Sequence, residues 1–291
     1  MDFSVDRGRL SRNLQTIVGE RSALGNRRHL AEVGNFIEAE FKSYGMSIER
    51  DVFSWRGEFF HNIIARFPGS ASDRCVIVGA HFDSVVGTAG ADDNASGVAA
   101  LLETARLLSH ANLSSQVLMC AFNLEELNMI GSAAFAKKLK AAGARVEGMI
   151  SLEMIGYTDL RAGSQKLPVG LSRFYPDRGD FIGVVGNWKS RSLLQRLSSA
   201  MREVPDLPVE TLSVPGNGMV MPAVRLSDHA PFWDLGYPAV MVTDTSFYRN
   251  PHYHAATDTL ETLNLEFMAK VCEGVGRGVM ALQAPHGIET K

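Results

Sequence analysis

Four short, almost unbroken apolar runs punctuate the chain: CVIVGA at 75–80, QVLMCAF at 116–122, GMISL at 148–152 and AVMVT at 239–243. Runs of this length without polar alternation suit strands buried on both faces, as in a parallel sheet. Between them, apolar positions recur every three or four residues. In RRHLAEVGNFIEAEFKSYG, residues 27–45, Leu30, Val33, Ile37 and Phe41 line one face and Gly45 ends the helix. SGVAALLETARLLSH (96–110), GSAAFAKKLKAAG (131–143) and SRSLLQRLSSAMREV (190–204) read as helices too, and FFHNIIARFPG (59–69) as a strand closing on a Pro-Gly turn. The alternation predicts a doubly wound α/β sandwich. The segment 156–225, rich in Gly, Pro and polar residues, reads as long loops around one helix, and long loops in such folds often wall a site. There is no internal repeat, and the expectation is a single catalytic domain over 1–291.

Composition narrows the partners. With 291 residues, 45% of them hydrophobic and 21% charged, the chain has ample material for a large core. A formal net charge of -3 with no basic stripe argues against nucleic acid and against an anionic membrane surface. Cys75, Cys120 and Cys272 sit in no paired spacing and read as buried thiols. The first residues, MDFSVDRGRLSRNLQ, lack the apolar core of a signal peptide, and no run approaches membrane-spanning length. The expectation is a soluble protein, cytoplasmic by default and exported only if a leader has been removed.

The chemistry sits just past the end of each apolar run. His81 and Asp83 follow the first, Glu125 and Glu126 the second and Glu153 the third; Asp244 and then PHYHAATDT (251–259) follow the fourth. Ligands of open α/β sheets bind beyond the carboxyl ends of the strands, so these groups should meet in one crevice. No lysine or arginine occurs between Arg74 and Arg106, which leaves Asp83, Asp92 and Asp93 without a nearby counter-charge. Carboxylates beside a buried strand are costly unless a cation meets them. Several acids and two histidines at one edge imply a divalent metal, with zinc favoured and manganese or cobalt as substitutes.

The set AHFDS (80–84), GADDNASG (90–97), NLEEL (123–127) with GS at 131–132, LEMIGY (152–157), SDHAPF (227–232) and NPHYHAATDT (250–259) carries a resemblance from about residue 30 to the C-terminus. In this order it resembles the co-catalytic zinc exopeptidases of peptidase family twenty-eight, which include bacterial leucine aminopeptidases and are related to glutamate carboxypeptidase and the glutaminyl cyclases. The resemblance implies a three-layer sandwich, a mixed but mostly parallel sheet with helices on both faces, and two zinc ions per chain. It makes His81 and Glu153 ligands of one zinc, Glu126 and His254 ligands of the other, and Asp93 the carboxylate between them. Asp83 becomes the acid that orients His81, Glu125 the general base, and Tyr253 a donor to the oxyanion. A cis peptide joins Asp93 to Asn94 in the same pattern. His254, four residues before Asp258, fits the ligand position better than His252, which is left as a surface or supporting group. Arg225 and Ser227 to His229 are assigned to the site wall or to packing. Asp92, Asp244 and Asp258 are read as structural, with Asp258 buttressing the loop of His254.

The chain departs from the family pattern twice: Asn128 stands where glycine is usual, and Glu153 where many relatives carry aspartate. Asparagine tolerates positive φ, so the same turn remains open to it. The implied activity is hydrolysis of the first peptide bond of substrates with a free N-terminus, through a hydroxide shared by the two metals. The alternatives are one-zinc acyl transfer of the glutaminyl cyclase kind and a carboxypeptidase of the same fold. The interval from Glu153 to His254 is too short for the separate dimerisation domain of a related carboxypeptidase group. A catalytically silent binding protein would have lost a ligand or the base, and none is lost.

Overall fold

The computed structural model describes residues 3–68, 74–168 and 170–283. Eight strands form one sheet: β1 (Ser47–Trp55), β2 (Glu58–Arg66), β3 (Arg74–His81), β4 (Gln116–Phe122), β5 (Arg145–Glu153), β6 (Ile182–Asn187), β7 (Val209–Val214) and β8 (Ala239–Thr243). Their spatial order is β1-β2-β4-β3-β5-β8-β6-β7. The four apolar runs are the adjacent central strands β4, β3, β5 and β8, all mutually parallel. The β1–β2 hairpin joins antiparallel at one side, and β6 pairs antiparallel with β8 at the other, carrying β7 parallel to itself.

Alternation along the strands explains why the runs are apolar throughout. Val76, Val78 and Ala80 of β3, with Val117, Met119 and Ala121 of β4, pack under α1 (Arg7–Ile17), α2 (Arg27–Ser43), α3 (Gly97–Leu108), α5 (Arg191–Met201) and α7 (Leu265–Gln283). Their neighbours Cys75, Ile77, Leu118, Cys120 and Phe122 face α4 (Ile130–Ala141) and α6 (His229–Asp234) on the opposite side. Both faces are covered, so neither has use for a polar residue. The fold is the expected α/β sandwich with a mixed sheet. The three cysteines are buried and unpaired. Among the described residues no helix is long and apolar enough to cross a membrane.

One expectation is corrected, and two helices are added. The segment 156–225 is not loops around one helix alone, because β6 and β7 lie within it. IGVVGN in β6 carries two glycines, and VETLSV in β7 is the half-exposed edge strand, so neither has a buried strand's signature. The helix α7 escapes a reading of the sequence because Gly274, Gly276 and Gly278 look like helix weakeners. They are there for close approach: a Cβ on Gly278 would stand 2.2 Å from Leu197 Cδ1 of α5. The amphipathic α1 is a further addition, and the turn expected at Gly69 lies outside the described residues.

The missing counter-charge of the 80–97 stretch comes from far away in sequence. Arg21, wholly buried between α1 and α2, donates to the carbonyls of Phe82 at 2.8 Å, Gly19 at 3.1 Å, Ala89 at 2.9 Å and Gly90 at 2.8 Å. Burial pushes its pKa down to about 10, which still leaves it cationic at neutral pH. It therefore staples the loop after β3 and places a positive charge behind Asp83 and Asp93. Arg21→Met should remove four hydrogen bonds, leaving the Ala89 and Gly90 carbonyls only their backbone donors Gly19 and Ala95, and cost about 3–5 kcal/mol in urea unfolding. A loss below about 1 kcal/mol would mean that those carbonyls find other partners.

Candidate metal centre

The carboxyl ends of the central strands bring the site together. His81 is the last residue of β3 and Glu153 the last of β5, while Glu125 and Glu126 leave the end of β4. His254 arrives on the loop after β8, and Asp93 on the turn that leads into α3. His81 Nε2 stands 3.4 Å from Asp93 Oδ1 and 3.4 Å from Glu153 Oε2. His254 Nε2 stands 3.1 Å from Asp93 Oδ2 and 3.4 Å from Glu126 Oε2. Asp93 thus turns one oxygen to each histidine. The result is two triads that share it, His81–Asp93–Glu153 and Asp93–Glu126–His254, each with its donor atoms within 4.8 Å of one another.

The frame around these donors is made of backbone bonds to side chains. Both oxygens of Asp83 accept, from the Glu125 amide at 3.0 Å and the Glu126 amide at 3.2 Å. Its carboxylate is 3.6 Å from His81 Nδ1, an ion-pair separation rather than a hydrogen bond. Asp83 therefore fixes the two glutamates at least as firmly as the imidazole. Asp258 accepts from the amides of Asp92 at 2.9 Å and Asp93 at 3.1 Å. Asp92 in turn holds Gly156 N at 2.9 Å and Asn250 Nδ2 at 2.7 Å, tying β5 and the histidine loop to the same turn. The Asp93–Asn94 peptide is cis, and Asn94 bonds Leu152, Met154 and Gly97. Asn128 has φ of 79°, the left-handed conformation its side chain tolerates.

The electrostatics call for cations. Burial pushes Glu125 well above the ordinary carboxyl range and Glu126 to about 7, and Glu153 is raised by the same cause. Burial opposes protonation of His81, yet the carboxylates of Glu125 and Glu153 and its neighbours Asp83 and Asp93 hold it well above its usual value. His254 is half-buried, which lowers its pKa, but Asp93 and Glu126 carry it to about 10. Asp93 is buried as well, and the two histidines still bring it below its ordinary value. Protons are here doing what a divalent ion does better. His81 Nε2 and Glu126 Oε1 are buried with no hydrogen-bond partner. Donors about 2.0–2.1 Å from a tetrahedral centre stand about 3.3 Å apart, close to the separations found. Imidazole and carboxylate donors, with no thiolate among them, fit zinc, and manganese or cobalt less closely.

The five expected ligands and Glu125 converge, with Asp83 behind them. Tyr253 stacks on the His254 ring at 3.7 Å between centroids and lines the adjoining cavity. His252 stays outside both triads, bonding Thr257 Oγ1 at 2.9 Å, and Arg225 pairs with Asp234 at 2.8 Å in the wall. Asp244 accepts from Tyr157 N at 2.8 Å and Ser246 N at 2.9 Å, a structural place. Sequence reasoning left Ser227 to the wall or to packing and missed Arg21. Ser227 Oγ donates to Glu153 Oε2 at 2.8 Å, fixing the carboxylate, and Arg21 supplies the buried cation. No local pattern marks Arg21. Asp228, next to Ser227, is buried with neither oxygen hydrogen-bonded, and burial takes it to about 7.

Comparison with known proteins places this geometry in context. The model of peptidase family M28 matches residues 62–277. The chain is 39% identical over 278 residues to YfbL of Escherichia coli K12, covering 91% of this chain and 84% of that protein. It is 27% identical over 241 residues to leucine aminopeptidase 1 of Uncinocarpus reesii, covering 77% of this chain but only 54% of the fungal protein's length. The LapA aminopeptidase of Legionella pneumophila superposes with a TM-score of 0.76 at 20% identity, covering 97% of this chain and 73% of that one.

Chelated protein should lose stability as pH rises from about 5 to 8. Glu126 binds its proton more tightly folded, at about 7, than unfolded, at 4.5, so the folded state holds more protons between those values. Stability then falls with rising pH, and His254, raised from 6.5 to about 10, extends the fall upward. Saturating zinc, at about a thousand times its Kd, should restore about 4 kcal/mol. Calorimetric melting at several pH values with and without zinc checks this, and a flat or rising metal-free profile would contradict it.

Proposed function

The chain belongs to peptidase family M28, and from that footing we propose that it is a zinc aminopeptidase, removing the N-terminal residue of peptides. The observation that carries the reading is the pair of triads sharing Asp93. His81, Asp93 and Glu153 would hold one zinc, and Asp93, Glu126 and His254 the other. When bound, the metal ions supply Lewis acidity to the scissile carbonyl and lower the pKa of a nearby water.

The remaining steps fall to this chain's own groups. Glu125 has its amide fixed by Asp83 and its side chain on the cavity, with Oε2 3.8 Å from His81 Nε2. Its carboxylate is free to take a proton from the attacking water and deliver it to the departing amine, the usual role of a general base that turns acid. Burial raises its proton affinity well above that of an ordinary glutamate, which suits the second half of that exchange. Tyr253, also on the cavity, is protonated at neutral pH because burial and the charges of Asp93 and Glu153 drive its pKa upward. Its hydroxyl can donate to the oxyanion as the carbonyl becomes tetrahedral. Glu125 and Glu153, both on the cavity lining, give it a negative character that favours a free ammonium over a blocked N-terminus.

A metal titration of the metal-free protein against aminoacyl amides and their N-blocked counterparts tests this reading. Activity on the free-amine series should return with two equivalents of zinc. Glu125→Gln should lower kcat by about 10²–10⁴-fold with zinc still bound. Full activity at one equivalent, with release of ammonia from substrates whose N-terminal glutamine is left as a cyclised residue on the peptide, would support acyl transfer instead, and equal turnover of the blocked series would overturn the aminopeptidase assignment.

A further inference from the structure

Beside the metal centre lies a cavity of about 370 Å³, one wall of which is the sheet face of β8, β6 and β7. Strand register arranges that wall in rows. Leu212 pairs with Val185 and Val185 with Met241, which makes an apolar row. Two residues along the strands, Glu210 pairs with Gly183, Gly183 with Thr243, and Thr243 with Glu153. Side chains two apart point to the same face, and every residue of both rows lines the cavity. The second row therefore starts at a carboxylate of the metal centre and ends at another carboxylate three strands away.

The middle of this row is open. Gly183 has no side chain, and a Cβ there would meet only the Thr243 carbonyl at 3.3 Å and two threonine methyls beyond 3.6 Å, so its absence is space given to the cavity. Three inter-strand steps of about 4.8 Å separate the ends by about 14 Å. Both glutamate side chains rise to the same side of the sheet, so their carboxylates stand over it at about this separation.

Glu210 is partly buried in a mostly apolar wall and makes no hydrogen bond or ion pair among the described residues. Its charge is felt by Tyr175, whose hydroxyl donates to the Thr211 carbonyl at 2.8 Å on the same strand. Arg202 acts on Glu210 electrostatically while its guanidinium bonds the Val209 carbonyl. Lys166, the cation on the cavity lining, is exposed and contributes nothing to the charge balance of Glu210. A carboxylate so placed gains from a cation brought in by a ligand.

We propose that Glu210 makes this cavity selective for peptides beginning with lysine or arginine, the aliphatic stem lying over Leu212, Val185 and Met241 and the cationic end meeting the carboxylate. This rests on the aminopeptidase reading and adds the substrate class to it. The test compares the zinc-loaded full chain on arginyl and citrullyl 4-nitroanilides, which share a shape and differ in charge, and on lysyl and norleucyl 4-nitroanilides. The arginyl substrate should exceed the citrullyl one in kcat/KM by about 10- to 100-fold. In Glu210→Gln that ratio should fall towards one, with circular dichroism reporting on the fold of the variant. A wild-type ratio near one, or a ratio unchanged in Glu210→Gln, overturns the assignment, and cleavage of leucyl 4-nitroanilide in the same experiment would leave the aminopeptidase reading standing. Turnover confined to N-blocked substrates would remove both.

Discussion

The constraint on which the rest of the structure depends is the repulsion among acids gathered at one rim of the sheet. Asp93, Glu125, Glu126 and Glu153 end within reach of two imidazoles, all but His254 wholly or largely out of water. Such a set is unstable without positive charge at its centre. Proton uptake by the histidines and glutamates relieves part of the repulsion, and divalent ions relieve more. Every nearby feature serves to keep these donors facing one another despite it.

The restraints are drawn from all over the chain. Arg21 comes from the segment before α2, Asp258 from the loop before α7 and Ser227 from the entry to α6, and each spends its hydrogen bonds on the turn or ligand it faces. Because both oxygens of Asp83 are committed to the Glu125 and Glu126 amides, the β3 and β4 ends move as one body. Such mutual fixing holds two adjacent glutamates at the cavity, Glu126 beside His254 and Glu125 beside His81. A site held this way is pre-organised at the expense of folding stability, which the two apolar layers on either side of the sheet provide.

The second half of the sheet has a different task. β6 and β7 do not contribute to the triads, yet their rows make the wall against which a substrate side chain would lie. Gly183 deepens that wall and Glu210 gives it a charge. On the proposed reading, chemistry and selectivity would fall to neighbouring parts of one sheet. The parallel centre supplies the donors, and the antiparallel extension supplies the pocket.

The sequence by itself determined the layers and the ligand types. Its four apolar runs fixed which strands are central, because only strands covered on both faces can do without polar residues, and the acids and histidines beyond them fixed what meets at the rim. The resemblance, through its spacing to Asp258, preferred His254 to His252. What the sequence left to the tertiary structure was whatever depends on distant partners. Arg21 as the counter-charge, Ser227 on Glu153 and the true business of Asp83 are hydrogen bonds between residues separated by 42 to 74 positions, with no local signature. The strands β6 and β7 and the helix α7 were hidden for a related reason. Their glycines and half-polar faces look like weak local structure until the neighbour that needs the space, or the cavity that needs the opening, is in place.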